Sequence, residues 1–340
     1  MKKLALFITA CFALTCLAAK DGEKKAKKNA KKERETIEVC FVLDTTGSMG
    51  GLIEGAKQKV WSIANEILST KPVPNLRIGL IGYRDRKDAY VTQVHDLSED
   101  IDDVYAKLMK FQAQGGGDTP ESVNQALHEA VTKIKWNKSK KVLKLVFLVG
   151  DAPPHMDYQD DVKYPAVCKQ AVKKDLIINT VQCGGMASTT PIWKEIAKLA
   201  EGDYVAIAQT GGVAAISTPV DAEIAKLNRE LGVTVVAYGD ARGRATVASK
   251  LALATEADDE VAADRLSVLS LKSKAATSFS AAGASPAASA YIDGDGDLVA
   301  GLASGKYEYE KIEEDKLSEE LKKMAPEKRS YFRFLFIGGS

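Results

Sequence analysis

Apolar, β-branched runs alternate with amphipathic segments between residues 36 and 212, and this alternation constrains the fold of the 340-residue chain more than any other feature. Runs such as TIEVCFVLD and KKVLKLVFLVGD are too continuously apolar for a solvent-exposed face, which is typical of strands inside a parallel sheet. Between them, segments such as LIEGAKQKVWSIANEIL place apolar residues at helical spacing. This order predicts βαβ units, so we expect a Rossmann-like, doubly wound α/β fold with a mostly parallel sheet and helices on both faces.

Six strands are predicted in this region, and the third differs from the others. Its sequence, AYVTQVHDL, alternates apolar and polar residues more than the other strands do. Alternation indicates a strand with one solvated face, so we expect AYVTQVHDL at the edge of the sheet.

The first 35 residues have the composition of a targeting segment followed by a tether. Residues 1–19 hold Lys2 and Lys3 ahead of an apolar core that is too short and too early for a membrane span, which is typical of an export signal. We therefore expect a bacterial-type protein exported to the periplasm or the extracellular space, with residues 20–35 as a basic linker. The segment ITAC also resembles a bacterial lipobox, and a lipoprotein anchored at Cys11 is the alternative.

Charge and cysteine content narrow the function classes. The formal net charge of +1 gives no reason to expect a nucleic-acid partner. Outside the signal the chain holds Cys40, Cys168 and Cys183, an odd number without metal-ligand spacing. We predict that these cysteines are small buried residues rather than a structural disulfide.

The residues after 212 give weaker patterns. Residues 213–274 predict helices and one further strand, VTVVAYG, and residues 275–290 a low-complexity linker. Residues 291–340 predict a charged helical tail, with a continuous helix over 307–324. The segment DGDGD at 293–297 alternates like a calcium loop, but its twelfth position is Ser304 instead of glutamate, so we predict a turn that leads into a helix.

Two predicted strands end in an aspartate, Asp44 and Asp151. In an open parallel sheet, ligands bind beyond the carboxyl ends of the strands where the strand order reverses. Two buried carboxylates at such a point repel each other unless a cation lies between them. Thr46 and Ser48 add hydroxyl groups on the turn after Asp44, and a set of hard oxygen ligands suits Mg²⁺.

A third loop, GGGDTPE, supplies Asp118 and Thr119 after three glycines. With this loop, the pattern Asp44-x-Thr46-x-Ser48, Thr119 and Asp151 resembles the metal-ion-dependent adhesion site of von Willebrand factor type A domains. The resemblance covers about residues 36–212, and the segments YRD and DAPPH also look like bacterial members of that family.

The resemblance implies a site and a mode of action. Thr46, Ser48 and Thr119 would offer hydroxyl ligands, with Asp118 as the alternative to Thr119, and Asp44 and Asp151 would hold the ion directly or through water. The ion would be Mg²⁺, or another divalent cation such as Mn²⁺ or Ca²⁺. An acidic side chain of a protein partner would fill the open coordination position, and this partner could be a component of the cell envelope. We therefore expect an exported, non-enzymatic adhesion module without a transmembrane span after signal removal.

Several alternatives remain at the level of sequence. Ser48 could cap the helix that begins near Gly50, and Thr119 could cap a helix with Pro120 at its first position. His155 is interpreted as a loop histidine and Asp85 as a member of a structural ion pair.

Two other functions also stay open. The segment DTTGS resembles the phosphorylated motif of haloacid-dehalogenase-type phosphotransferases, in which Asp44 would be the nucleophile, although Thr45 stands in place of the lysine. The chain could also be a non-catalytic envelope scaffold without metal dependence.

Overall fold

The computed structural model describes residues 34–209, 220–279 and 291–323. These residues form two compact units. The first comprises the described residues up to Glu99 and from Lys107 to 209, and the second comprises Asp100–Ala106 with the described residues after 219. The predicted export signal and the end of the chain lie outside the described residues, and the limits predicted for the signal, the basic linker and the first domain stay predictions.

The first unit is built on a six-stranded sheet. Its strands are β1 (Thr36–Asp44), β2 (Asn75–Tyr83), β3 (Thr92–Ser98), β4 (Leu143–Gly150), β5 (Leu176–Cys183) and β6 (Tyr204–Ile207). The order across the sheet is β3-β2-β1-β4-β5-β6, and only the β2–β3 pair is antiparallel. The predicted Rossmann-like architecture is therefore confirmed, and β3 lies at the edge as its alternation predicts.

Helices connect the strands. They are α1 (Gly50–Leu68), α2 (Ile101–Leu108), α3 (Val123–Thr132), α4 (Tyr164–Lys173) and α5 (Thr189–Leu199), and most of α2 belongs to the second unit. The core of the first unit lies between its helices and the central strands, where Val42, Ile81, Val146 and Trp193 are fully buried. Cys40, Cys168 and Cys183 are free, buried thiols, as predicted.

The strand order reverses between β1 and β4. The chain passes from β1 to β2 on one side, while β4 pairs with the other side of β1. In the β1–β2 register, Asp44 lies opposite Tyr83, and β4 ends at Gly150, directly before Asp151. The topology therefore places both aspartates at the switch point, where α/β sheets bind ligands.

The second unit is helical. It contains α6 (Asp221–Gly232), α7 (Ala241–Glu256), α8 (Asp259–Phe279), α9 (Leu298–Ala303) and α10 (Glu319–Lys323). Helix α6 packs against α7 and α8. The segment DGDGD leads into α9, as predicted. The structure adds that Asp297 is the N-cap residue, whose side chain accepts a hydrogen bond from the amide of Val299.

Three predictions for this unit are wrong. The segment VTVVAYG forms no strand in the described structure. It makes a single bridge between Ala237 and Asp297, because the described part of this unit offers no neighbouring strand to complete a ladder. Helix α8 ends at Phe279, inside the predicted linker 275–290.

The third error concerns the end of the described chain. The predicted continuous helix over 307–324 consists of two 3₁₀ turns, at Tyr309–Lys311 and Glu314–Lys316, followed by α10. Short helices in water need an apolar face packed on a neighbour. Here Tyr307, Ile312 and Leu317 instead pack in a small apolar cluster with Tyr238 and Leu298.

The described helices include none that is both long and apolar enough to cross a membrane.

Candidate metal centre

The turn after β1 gathers three of the predicted oxygen ligands. Asp44 is fully buried, and its Oδ1 accepts hydrogen bonds from the amide and the hydroxyl of Thr46, at 2.9 and 2.6 Å. The Oγ1 of Thr46 lies 3.4 Å from the Oγ of Ser48, which is exposed. The turn therefore presents two hydroxyl oxygens and one carboxylate along a path from the interior to the surface.

Helix capping does not account for Ser48 or Thr119. The N-cap position of α1 is Met49 and that of α3 is Ser122, and neither helix has a side-chain capping bond. The hydroxyl of Ser122 donates to Oδ1 of Asp85 instead, at 2.8 Å. The capping interpretation of the two predicted hydroxyl ligands is therefore wrong.

The second carboxylate oxygen of Asp44 is buried without a hydrogen-bond partner. Burial raises the pKa of Asp44 to about 7; the hydrogen bonds from Thr46 oppose this rise, whereas the negative charge of Asp151 adds to it. A buried carboxylate oxygen that nothing satisfies is costly, and a cation beside it removes the cost. This oxygen is the feature of the site that most specifically fits a metal ion.

Asp151 is joined to the first turn by Gln209, a residue that the sequence analysis missed. The Nε2 of Gln209 donates to Oδ2 of Asp151 at 2.6 Å and to the carbonyl oxygen of Ser48 at 3.2 Å. No motif marks Gln209. Its position after β6, at the same edge of the sheet, is the one signal that could have found it.

The glycine-rich loop is held against the first turn through its backbone. The amide of Gly47 donates to the carbonyl of Gly115, and the amide of Gln114 donates to the carbonyl of Thr45, at 3.2 and 3.1 Å. Gly115 has a φ of +80°, and a Cβ there would collide with the carboxylate of Asp88. Glycine is therefore required at this position on both conformational and steric grounds.

The two candidate ligands of this loop, Asp118 and Thr119, lie on the surface of the protein. Thr119 is exposed, and its role as a ligand stays a prediction. Asp118 is also exposed, and its Oδ2 lies 3.7 Å from Nε2 of His155.

Glu121 adds a further carboxylate that the sequence analysis missed. Its Oε2 is buried without a hydrogen-bond partner, and burial raises its pKa to about 9, with further contributions from Asp44, Asp85, Asp88 and Asp151. The hydroxyl of Tyr83 is likewise buried and unpartnered.

Basic side chains do not neutralise this group. The guanidinium of Arg84 donates to the carbonyls of Thr45 and Gln112, at 3.1 and 2.8 Å. Within the described part of the chain, no salt bridge joins Asp44, Glu121 or Asp151 to a basic residue. The carboxyl groups of Asp44, Glu121 and Asp151 therefore lie together without basic partners, which favours a bound divalent cation.

A second group of ligand-type side chains lies in the neighbouring loops. One ligand atom each from Asp85, Asp118 and His155 lie within 4.8 Å of one another. His155 is in a loop, as predicted, but it is only 6% exposed. Asp85 accepts hydrogen bonds from Ser122 and Tyr158, and its ionic contact is with Nε2 of His155, at 3.4 Å.

Comparison with known families agrees with the observed fold. A family model described as the von Willebrand factor A domain matches residues 38–219, more than half of the chain. The protein therefore belongs to the von Willebrand factor A domain family. Domains of this family are generally non-catalytic modules for protein interaction and adhesion, and they are often metal-dependent.

Two curated proteins share part of this sequence. A protein described as an ariadne-like RING finger protein of Acanthamoeba polyphaga mimivirus is 32% identical over 119 residues, which cover 35% of this chain and 11% of that protein. The alpha-protein kinase vwkA of Dictyostelium discoideum is 24% identical over 175 residues, or 48% of this chain and 28% of the kinase. The chain thus spans only a small part of either relative.

Solved structures resemble the chain more distantly. Proximal thread matrix protein 1 from the mussel byssus is 15% identical, with a TM-score of 0.39, over 52% of this chain and 42% of that one. The VWA domain of SpRpn10 gives the same TM-score and identity, over 53% of this chain and all of that domain. A further structure of the mussel protein has zinc in its adhesion-site motif.

Proposed function

We propose that a divalent cation, Mg²⁺ in the first instance, binds at the carboxyl-terminal ends of β1 and β4. The bound cation would in turn bind an acidic side chain of a protein partner. The observation that carries this proposal is the buried, unpartnered Oδ2 of Asp44 beside the hydroxyls of Thr46 and Ser48. A bound cation would supply an electrophilic centre that accepts a carboxylate as an additional ligand.

The proposed ligands come from three loops: Asp44, Thr46, Ser48, Thr119 and Asp151. Thr46 gives its hydroxyl proton to Asp44, so the lone pairs of its oxygen remain available to a cation. Gln209 holds the carboxylate of Asp151 next to the backbone of Ser48. Ser48 is exposed and would mark the side from which the partner approaches.

Replacement of Asp44 by asparagine tests the metal site. The asparagine side chain would keep an acceptor for Thr46 but remove the charge, so we expect the variant to lose stabilisation by Mg²⁺ or Mn²⁺ in thermal unfolding. The wild-type protein should gain about 3 kcal/mol when the metal is at about 100 times its dissociation constant. Asp175→Asn is the matched control, because Asp175 is exposed in the turn before β5, at the opposite end of the strands. Equal stabilisation of the Asp44→Asn variant would overturn the proposal.

The open coordination position has a separate test. Mn²⁺ on the protein should enhance water proton relaxation, and acetate, as the simplest carboxylate probe, should reduce this enhancement by displacing water. No reduction at saturating acetate would mean a closed, structural cation rather than an adhesion site.

The protein partner is tested by capture. Wild-type protein on a solid support should retain its partner from envelope extract in Mg²⁺ and release it in chelator, whereas the Asp44→Asn variant should retain nothing in either condition. A partner that binds both proteins regardless of metal would favour a metal-independent scaffold.

We further propose, from the composition of residues 1–19, that the protein is exported. Mass spectrometry of the mature N-terminus tests this point. Cleavage near residue 19 would support soluble release, a lipid mass on Cys11 would support anchoring, and an intact N-terminus would contradict both.

A further inference from the structure

We propose that Asp85, Asp118 and His155 form a second cation site, distinct from the one at Asp44 and selective for a late first-row divalent metal such as Zn²⁺. The Nε2 of His155 lies 3.4 Å from Oδ2 of Asp85 and 3.7 Å from Oδ2 of Asp118. Ligands on a tetrahedral ion with bonds of about 2.0–2.2 Å are separated by roughly 3.4 Å. The two distances from Nε2 therefore already come close to the spacing that such an ion requires, and all three ligand atoms lie within 4.8 Å of one another.

The hydrogen bond on the other ring nitrogen defines which form of His155 faces the two aspartates. Its Nδ1 lies 2.8 Å from Oδ1 of Asp157, and a carboxylate can only accept, so Nδ1 carries the proton. In the neutral ring, Nε2 then presents a lone pair to the group. This arrangement of carboxylate, histidine and metal ligand is common at zinc sites.

The Nε2 of His155 is buried and makes no hydrogen bond in the described structure. The side chain is 6% exposed, as is that of Asp85, so water has little access to compensate. A lone pair that faces two carboxylate oxygens is unfavourable unless a positive charge lies between them.

Neighbouring side chains hold the ligands in position. Oδ1 of Asp85 accepts from the hydroxyl of Ser122 and Oδ2 accepts from the hydroxyl of Tyr158, both at 2.8 Å. The Tyr158 ring stacks on His155 with centroids 4.0 Å apart and an interplanar angle of 13°. Such outer contacts orient metal ligands, and their loss typically lowers metal affinity about 10–100-fold.

Arg86 does not neutralise the carboxylates of the proposed second site. Arg86 lies over the ring of Tyr158 and pairs with Asp160 and Asp161, at 2.8 and 3.0 Å. Asp118, in contrast, is 65% exposed, so one side of the group is open to solvent. An ion could therefore reach it from the surface and retain a water molecule as a fourth ligand.

The ligand chemistry separates this group from the first site. Mg²⁺ and Ca²⁺ prefer oxygen ligands, whereas imidazole suits Zn²⁺ and similar ions. The proposed site at Asp44 offers only oxygen atoms. We therefore expect the two sites to bind different ions independently.

Zinc titration in excess Mg²⁺ tests the proposal, because Mg²⁺ occupies the first site. By calorimetry, the wild-type protein should bind one Zn²⁺ under these conditions. Asp118→Asn replaces a charged ligand by a neutral one, so it should weaken zinc binding by more than the roughly 10–100-fold that loss of an outer contact costs, and His155→Gln should abolish it. Asp44→Asn should bind Zn²⁺ as the wild type does, which makes failure here distinguishable from failure of the proposed adhesion site.

Matched variants control for fold and surface charge. Asp160→Asn removes another exposed carboxylate of the same loop region, and His95→Gln removes a histidine on β3, so both should bind Zn²⁺ normally. Asp118 is exposed, so its replacement should leave the protein folded. The proposal would be overturned if the wild type did not bind zinc. It would also be overturned if Asp118→Asn and His155→Gln bound zinc as tightly as the wild type.

Cobalt provides a spectroscopic readout of the same site. Co²⁺ bound through His155 should give visible absorption bands in the wild type and in Asp44→Asn, and none in His155→Gln. Bands that persist without His155 would contradict the assignment.

Discussion

The side-chain amide of Gln209 donates a hydrogen bond of 2.6 Å to Oδ2 of Asp151. Gln209 follows the last strand of the sheet and Asp151 follows β4, so the contact joins two loops that are far apart in sequence. It also fixes the direction of a carboxylate that the proposed adhesion site uses. The position of Asp151 thus depends on a residue outside any recognisable motif.

Replacement of Gln209 by alanine should loosen Asp151 without removing it. We expect the metal-free protein to lose about 1 kcal/mol of unfolding free energy, since the bond is made to a charged group at a half-buried position. Mg²⁺ affinity should fall, but less than in Asp151→Asn. Chemical denaturation and calorimetry measure the two effects.

Gln125 offers the control for this experiment. Its amide also donates to a carboxylate, that of Glu129 at 3.1 Å, but on helix α3. Gln125→Ala should leave Mg²⁺ affinity unchanged. If both glutamine variants altered the affinity equally, the effect could not be assigned to the orientation of Asp151.

The stability of the metal-free protein should fall as the pH rises. The pKa of Asp44 is raised to about 7 and that of Glu121 to about 9, against ordinary values of 3.8 and 4.5. Between the ordinary and the raised pKa, the unfolded chain has lost a proton that the folded protein keeps. The free energy of unfolding therefore decreases with pH, by up to about 1.4 kcal/mol per pH unit for each carboxyl group.

The window between about pH 7 and pH 8 reports mainly on Glu121, because the carboxyl group of Asp44 is largely ionised above its pKa of about 7. At higher pH the buried cysteines also contribute, since burial raises their pKa above the ordinary value of 9.0. Glu121→Gln should flatten the pH dependence there when unfolding is followed by urea denaturation in chelator. Glu54→Gln, an exposed change on α1, should retain the wild-type slope. A slope that survives in Glu121→Gln would show that another group titrates.

Gly150 at the end of β4 and Tyr83 at the end of β2 lie in close contact, and substitutions can test this contact. A Cβ added to Gly150 would collide with the hydroxyl of Tyr83 and lie 3.1 Å from Oδ2 of Asp44. Gly150→Ala should therefore destabilise the protein by about 1–3 kcal/mol. The hydroxyl of Tyr83 has no partner in the described structure, so Tyr83→Phe should be neutral or stabilising.

The double variant shows whether this contact is the cause. Gly150→Ala with Tyr83→Phe should be less destabilised than Gly150→Ala alone, with a coupling of about 1 kcal/mol in a double-mutant cycle. Strict additivity of the two changes would contradict the steric explanation.

The buried ion pair between Arg265 and Asp102 should contribute strongly to the unfolding free energy of the second unit. Arg265 is 1% exposed and donates to both oxygens of Asp102, at 2.7 and 2.9 Å. Arg265→Met would leave the Asp102 carboxylate buried without its cation, at a cost of about 3–5 kcal/mol. Arg229→Met, at a site where the side chain is 51% exposed, should change the unfolding free energy by less than about 0.5 kcal/mol. Thermal unfolding of both variants measures the difference, and similar losses would contradict the assignment.

Sequence patterns predicted the elements of the first unit because its strands and helices have strong local periodicity. The run from Thr36 to Asp44 is apolar almost throughout, and it forms a central strand with neighbours on both sides. In the second unit the same approach failed for VTVVAYG. A β-branched run forms a strand only when another strand pairs with it, and local composition does not reveal whether one is present.

By itself, the sequence determined the fold class, the two strand ends that carry Asp44 and Asp151, and the turn that joins Asp44 to Thr46 and Ser48, because these follow from local patterns and spacings of a few residues. Only the tertiary structure decided that the strand order reverses between β1 and β4, that Gln209 joins Asp151, that Glu121 adds a buried carboxyl group, and that His155 faces Asp85 and Asp118. Those contacts join loops that are tens of residues apart in the chain, and their geometry is set by how the strands align in the sheet. Each loop is therefore encoded locally in the sequence, whereas the sites form only where the loops meet beyond the carboxyl-terminal ends of the parallel strands.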